Sequence, residues 1–138
     1  LKTGYALLDQ LSKQTKRGME HVIVSTVTGH YHVHRGEADQ AQKVLKQGLV
    51  TARSLLSSND PWVDRRRVIN LLNILAILYA DLYRFEQAEA LCEEAMSLGV
   101  NEGEEYQHCK GTFGQVLTHY TATLYTLGRS EETSKRLE

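Results

Sequence analysis

Apolar positions along the chain recur at steps of three and four residues. From Val68 onward, Leu71, Leu72, Leu75, Ala76, Tyr79 and Leu82 fall on one helical stripe. After Tyr83 and Arg84 the stripe resumes with Phe85, Ala88, Leu91, Cys92, Ala95 and Met96. Two helices joined by so short a turn must pack antiparallel. Asp60 before Pro61 predicts where the first of them starts, with a carboxylate cap followed by proline at the first helical position. Earlier, Ala38, Ala41, Leu45, Gly48, Leu49, Ala52 and Leu56 form one helical face, which Ser57-Ser58-Asn59 closes. The segment before it, Val22 to Thr28, is rich in β-branched residues and reads locally as a strand. Late in the chain, from about Glu104 or Tyr106, Phe113, Leu117, Tyr120, Leu124 and Leu127 carry another stripe.

These stripes repeat. An offset of 47 carries Gly29 onto Ala76, His32 onto Tyr79, Gly36 onto Tyr83, Ala41 onto Ala88, Leu45 onto Cys92 and Gly48 onto Ala95. A further offset of 45 carries Leu75 onto Tyr120, Ala76 onto Thr121, Tyr83 onto Gly128 and Ala88 onto Thr133. The register makes the β-branched stretch a helix, since tertiary context overrides a weak propensity. Gly36 and Gly128 stand where a helix stops and reverses, a place where glycine takes a left-handed conformation cheaply. The expected organisation is a single repeat domain over 1–138. Residues 1–17 close a preceding hairpin, 19–58 and 61–99 form two full hairpins, and 104–138 form a truncated third, with Ser130 capping the second helix it only begins. No polar capping helix is evident at either end, which predicts neighbouring repeats.

Composition narrows the function classes. Net charge is −1, against the strongly basic balance of a general nucleic-acid binder. The apolar run Val68 to Ala80 is too short to span a bilayer. Cys92 and Cys109 match neither a disulfide framework nor a metal motif, so both are expected reduced, in a cytoplasmic setting. His30 and His34 share a helix face while His32 points elsewhere. Two imidazoles are too few for a closed zinc site, so no metal and no cofactor is expected. Arg65-Arg66-Arg67 spreads around a helix and reads as a solvated start; Glu93, Glu94, Glu102, Glu104 and Glu105 read as a solvated edge. No nucleophile–base pair or phosphate loop stands out, and no enzymatic activity is expected.

Leu72-Asn73-Ile74-Leu75-Ala76-Ile77-Leu78-Tyr79, followed by Phe85-Glu86-Gln87-Ala88-Glu89-Ala90-Leu91-Cys92-Glu93-Glu94-Ala95-Met96, resembles a tetratricopeptide repeat. More narrowly it is similar to the long repeats of kinesin light chains. The resemblance implies an all-α, right-handed superhelix of antiparallel helix hairpins with a repeat of about 45–47 residues. It also implies a concave face lined by the first helix of each hairpin. Carried over residue by residue, groove positions are His30 and His34, then Asn70, Asn73, Ile77 and Asp81, then Gln115, Thr118, Ala122, Tyr125 and Thr126. This set is polar but not basic, unlike a clamp for C-terminal carboxylates. The implied role is a scaffold that holds a peptide or partner helix, with Asn70 and Asn73 binding an extended backbone. A sensory arm of a larger regulator is the alternative reading, and stacking of exposed repeat ends into an oligomer a third. The same register sets His34 against Asp81 across the groove.

Overall fold

A computed structural model describes the backbone of residues 2–58, 63–98 and 104–137, and side chains at 13–58, 63–98, 107–108 and 110–128. Five helices follow one another: α1 (Lys2–His34), α2 (Ala38–Ser57), α3 (Arg65–Asp81), α4 (Phe85–Met96) and α5 (Glu104–Leu137). The fold is all-α, of the helical-repeat type, with no strand among the described residues. The β-branched stretch lies inside α1, where Val22 is fully buried and the Thr26 hydroxyl donates to Val22 O at 2.7 Å.

α1 pairs with α2, and α3 with α4. α3 also touches α1 and α5, so these three form one layer, while α2 and α4 back it. α3 is therefore enclosed on most sides. That is why Val68, Ile69, Leu71, Leu72, Leu75, Ala76, Leu78 and Tyr79 are all buried and the helix is apolar almost all round. Leu45, Val22, Cys92 and Val116 reach the same core from four other helices. Each large aliphatic side chain so buried contributes about 1.5–3 kcal/mol. Small residues set the spacing: a Cβ at Gly29 would run into the Leu45 side chain, and one at Gly48 into Ser25 and Leu71.

Both complete hairpins turn in the same way. At the end of α1, Glu37 N–H donates to His32 O at 2.9 Å and Gly36 N–H to Val33 O at 3.1 Å. At the end of α3, Arg84 N–H donates to Tyr79 O at 2.8 Å and Tyr83 N–H to Ala80 O at 3.0 Å. This pair of bonds satisfies carbonyls that a helix end leaves open.

Three boundaries differ from the sequence expectation. α3 starts at Arg65, capped by Asp64, whose Oδ1 accepts from Arg66 N–H at 3.1 Å; Asp60 and Pro61 lie outside the described residues. α1 runs unbroken through residues 17–19, so the segment read as closing a preceding hairpin is the first half of α1. α5 likewise runs through Gly128 and Ser130 instead of turning there. Glycine permits a turn without compelling it. The residues after Gly36 return an apolar face to the core, whereas Arg129 to Glu138 offers almost none, so little packing would offset the turn.

Candidate functional site

The α1–α3–α5 layer carries a groove on its open face. Two adjoining clefts compose it. One, of about 440 Å³, is lined by Thr26, Val27 and His30 of α1, Asn70, Asn73, Ile74 and Ile77 of α3, and His108 of α5. The other, of about 570 Å³, continues from Ile77 to Gln107, His108, Gly111, Thr112 and Gln115. Ile77 and His108 belong to both. Among the described residues, no Asp, Glu, Lys or Arg lines either cleft. The floor is amide and hydroxyl groups between apolar shoulders, with Val27 65% exposed.

Of the groove positions taken from the resemblance, His30, Asn70, Asn73, Ile77 and Gln115 come together here. His34 does not join them: its Nε2 lies 2.9 Å from His30 Nε2. It makes no ion pair with Asp81, which is exposed at the last residue of α3. Thr118 and Thr126 return their hydroxyls to their own helix, at Gly114 O and Ala122 O. Tyr125 and Ala122 are exposed farther along α5.

The displaced positions share one cause. In the first interface between layers, Gln42 Nε2 donates to Tyr79 OH at 3.3 Å. The repeat offsets carry that pair onto Glu89 and Leu124. The observed contact is Tyr120 OH donating to Glu86 Oε1 at 3.1 Å, with the Tyr120 and Phe85 rings stacked at 5.6 Å. Because the two helices run antiparallel, Glu86 should face Leu127. α5 has slid by about two turns, roughly 10 Å. The slide brings His108, Gly111, Thr112 and Gln115 beside Ile77 and carries Thr118 and Tyr125 past it. It also leaves Leu124 and Leu127 exposed. Sequence spacing held no sign of this slide. A search for polar residues near the start of α5 would have found His108 and Thr112.

Asn73 is the distinctive residue of the floor. It is only 6% exposed, and its Oδ1 is buried with no hydrogen-bond partner. An unpaired buried acceptor costs about 1–3 kcal/mol, and its neighbours Asn70, Ile74 and Ile77 open onto the groove.

On the opposite side, Arg53 of α2 grips Glu94 of α4 through two parallel bonds of 2.9 and 2.8 Å, which raises the guanidinium pKa. Arg65, Arg66 and Arg67 are all exposed; Arg65 reaches Leu98 O at 2.8 Å and Arg67 lies 3.6 Å from Asp64. Cys92 is buried, whereas the Cys109 side chain lies outside the described residues. No group of three His, Cys, Asp or Glu gathers among the described residues. No helix among them is long and apolar enough to cross a membrane.

Residues 68–100, which span most of α3 and all of α4, match the family model of the tetratricopeptide repeat. No curated protein and no solved structure matches the chain. The α3–α4 hairpin is thus a tetratricopeptide-type repeat. Repeats of this type are non-enzymatic scaffolds that generally mediate protein–protein interactions.

Proposed function

We propose that the chain, built around a tetratricopeptide-type hairpin, is a protein-binding module that holds a segment of another polypeptide in the groove between α1, α3 and α5. One observation carries the reading: the buried, unpaired Oδ1 of Asn73 on the groove floor. Oδ1 is buried, so a backbone N–H of an extended peptide reaches it once the Asn73 amide turns outward, and the exposed Asn70 beside it can bond the same strand directly. The apolar shoulders Val27 and Ile77 would receive side chains, and the absence of Lys and Arg from the described lining disfavours nucleic acid and a C-terminal carboxylate alike. Catalysis has no place in this reading. The long helices favour the kinesin-light-chain-like subtype, and the spacing of Cys92 and Cys109, which fits no disulfide framework, favours a reducing, cytoplasmic setting.

A displayed library of random peptides selected on the immobilised chain tests the reading. Enriched peptides should bind the parent, measured by fluorescence anisotropy, and bind the Asn70→Ala and Ile77→Glu variants at least about tenfold more weakly, the ~1.4 kcal/mol of one lost anchor. Equal binding to parent and variants would remove the groove from the function.

The exposed Leu124 and Leu127 support a second reading, self-association through α5. These side chains stand past the start of α4, on the stripe that packs into the core farther up the helix. Light scattering over a range of concentrations decides it: mass that rises with concentration and returns to monomer in Leu124→Glu supports it, and a constant monomer removes it.

A further inference from the structure

Two histidines meet near the end of α1. His30 and His34 lie one turn apart on the same face. Their Nε2 atoms are 2.9 Å apart, the rings meet edge-on at 66°, and the centroids are 4.3 Å apart. Both side chains are exposed. We propose that His30 and His34 form a two-nitrogen site for a borderline divalent transition metal, Zn²⁺, Ni²⁺ or Cu²⁺.

Geometry and ligand chemistry agree on this. Imidazole nitrogens bind Zn²⁺ at about 2.0–2.1 Å, so two of them on one tetrahedral ion stand roughly 3.3 Å apart. The rings need to part by only a few tenths of an ångström, and both are free to do so at the surface. In the bare pair one Nε2 donates its proton to the other. On binding, the donor ring moves that proton to Nδ1, so both Nε2 lone pairs face the ion and the neutral pair loses no proton. Imidazole selects borderline metals over Mg²⁺ and Ca²⁺, which take oxygen ligands.

The neighbours leave the pair free for this. His32 is committed elsewhere, its Nδ1 bonded to Glu37 Oε2 at 2.8 Å. The nearby cation Arg35 is occupied by Glu37 Oε1 at 2.7 Å and by Tyr31 OH at 3.1 Å. Since no third protein donor joins the pair among the described residues, the remaining positions go to water or to an incoming ligand. This is an open site of modest affinity, not a closed structural one. His30 also lines the groove, so the ion stands at its edge. The site does not depend on what the groove holds.

The test is titration of the untagged chain with ZnCl₂, NiCl₂ and CuCl₂ by calorimetry, with electron paramagnetic resonance of the copper form. One ion per chain is expected, Cu²⁺ tighter than Ni²⁺ and Zn²⁺. The copper spectrum should show two equivalent imidazole nitrogens. His30→Gln and His34→Gln should each weaken binding by at least the ~10-fold that even loss of an outer-shell partner costs. His32→Gln should leave it unchanged. All three variants are surface changes, and circular dichroism checks that they fold. Absence of stoichiometric binding to the parent would overturn the proposal, as would full affinity in the doubly substituted His30→Gln, His34→Gln protein or a loss in His32→Gln.

Discussion

Gly36 and Tyr83 hold the same point in two successive hairpins, and both have positive φ, 74° and 60°. The hydrogen bonds around them match bond for bond. Glycine accepts that conformation freely, whereas an L side chain there costs about 1–2 kcal/mol. Tyr83 is 78% exposed, and its main packing contact is an edge-on approach to Phe85 at 6.0 Å. Relief of strain should therefore outweigh lost contact. Tyr83→Gly is expected to stabilise the chain by about 0.5–1 kcal/mol, after the greater entropy of unfolded glycine is deducted. Urea unfolding checks it, and an unchanged or lower midpoint would mean that the ring matters more than the backbone.

Ala88 is fully buried where α4 meets α3. Arginine there would bring an unpaired charge and a large volume into the core. Ala88→Arg should cost more than about 4 kcal/mol, a large share of the roughly 5–15 kcal/mol that holds a domain together. Loss of helical ellipticity at room temperature is the expected outcome. A melting curve like the parent's would contradict the packing of this hairpin.

The glycines of α2 and α5 should respond to alanine with opposite signs. A Cβ at Gly48 would meet Leu71 Cδ1 at 2.8 Å and the Ser25 side chain, whereas one at Gly114 would meet nothing within 4 Å. Alanine brings each helix up to about 1 kcal/mol of propensity. At Gly48 overpacking of about 1–3 kcal/mol exceeds that gain, so Gly48→Ala should lower stability by about 1 kcal/mol. Gly114→Ala should raise it by about 0.5–1 kcal/mol. Thermal melts of the two variants, side by side, read the signs directly.

How far the sequence reveals this fold depends on whether the signal is local. The stripes of α2, α3 and α4, the stop at Gly36 and the match between Gly36 and Tyr83 are all periodic features, and the structure has them. The Val22–Thr28 stretch needed the repeat register to overrule its strand propensity. The unbroken helix at Gly128 was hidden because a glycine marks where a turn is permitted, while the return helix must bury enough to make the turn favourable. The groove was half legible. Asn70, Asn73 and Ile77 sit on the enclosed central helix, whose register is fixed from several sides. Positions on α5 depended on how far that helix slides, and sliding by whole turns leaves the same stripe facing the core. His34 went astray because its nearest partner is one turn away on its own helix, not across the groove.

Glu37 ties the first turn together. Its carboxylate accepts from Arg35 Nε at 2.7 Å and bonds His32 Nδ1 at 2.8 Å, and these hydrogen bonds, Arg35's first, hold its pKa below the usual glutamate value. A carboxyl whose folded pKa is depressed adds stability that is complete above its unfolded value, about 4.3. That stability is lost as pH falls through the lower folded value. Acid should therefore loosen the α1–α2 turn only below about pH 4.3. Carbon-detected NMR titration of the Glu37 carboxyl should give a midpoint below that value, and Arg35→Gln should move it upward. A midpoint unmoved by Arg35→Gln would show that the bond does not persist in solution.

Asn73 separates a structural role from a binding one. If Oδ1 is held in readiness for a donor from outside, it burdens the folded chain while the groove is empty. Leucine has nearly the same shape and no polar atom, so Asn73→Leu should stabilise the chain by about 1–2 kcal/mol, the penalty of the unpaired acceptor removed. The same change should abolish binding of any peptide selected on the groove, because the apolar side chain cannot bond a backbone N–H. A higher melting temperature with lost binding is the signature of a residue kept for its ligand. A lower melting temperature would make Asn73 part of the scaffold, and preserved binding would move the peptide away from α3.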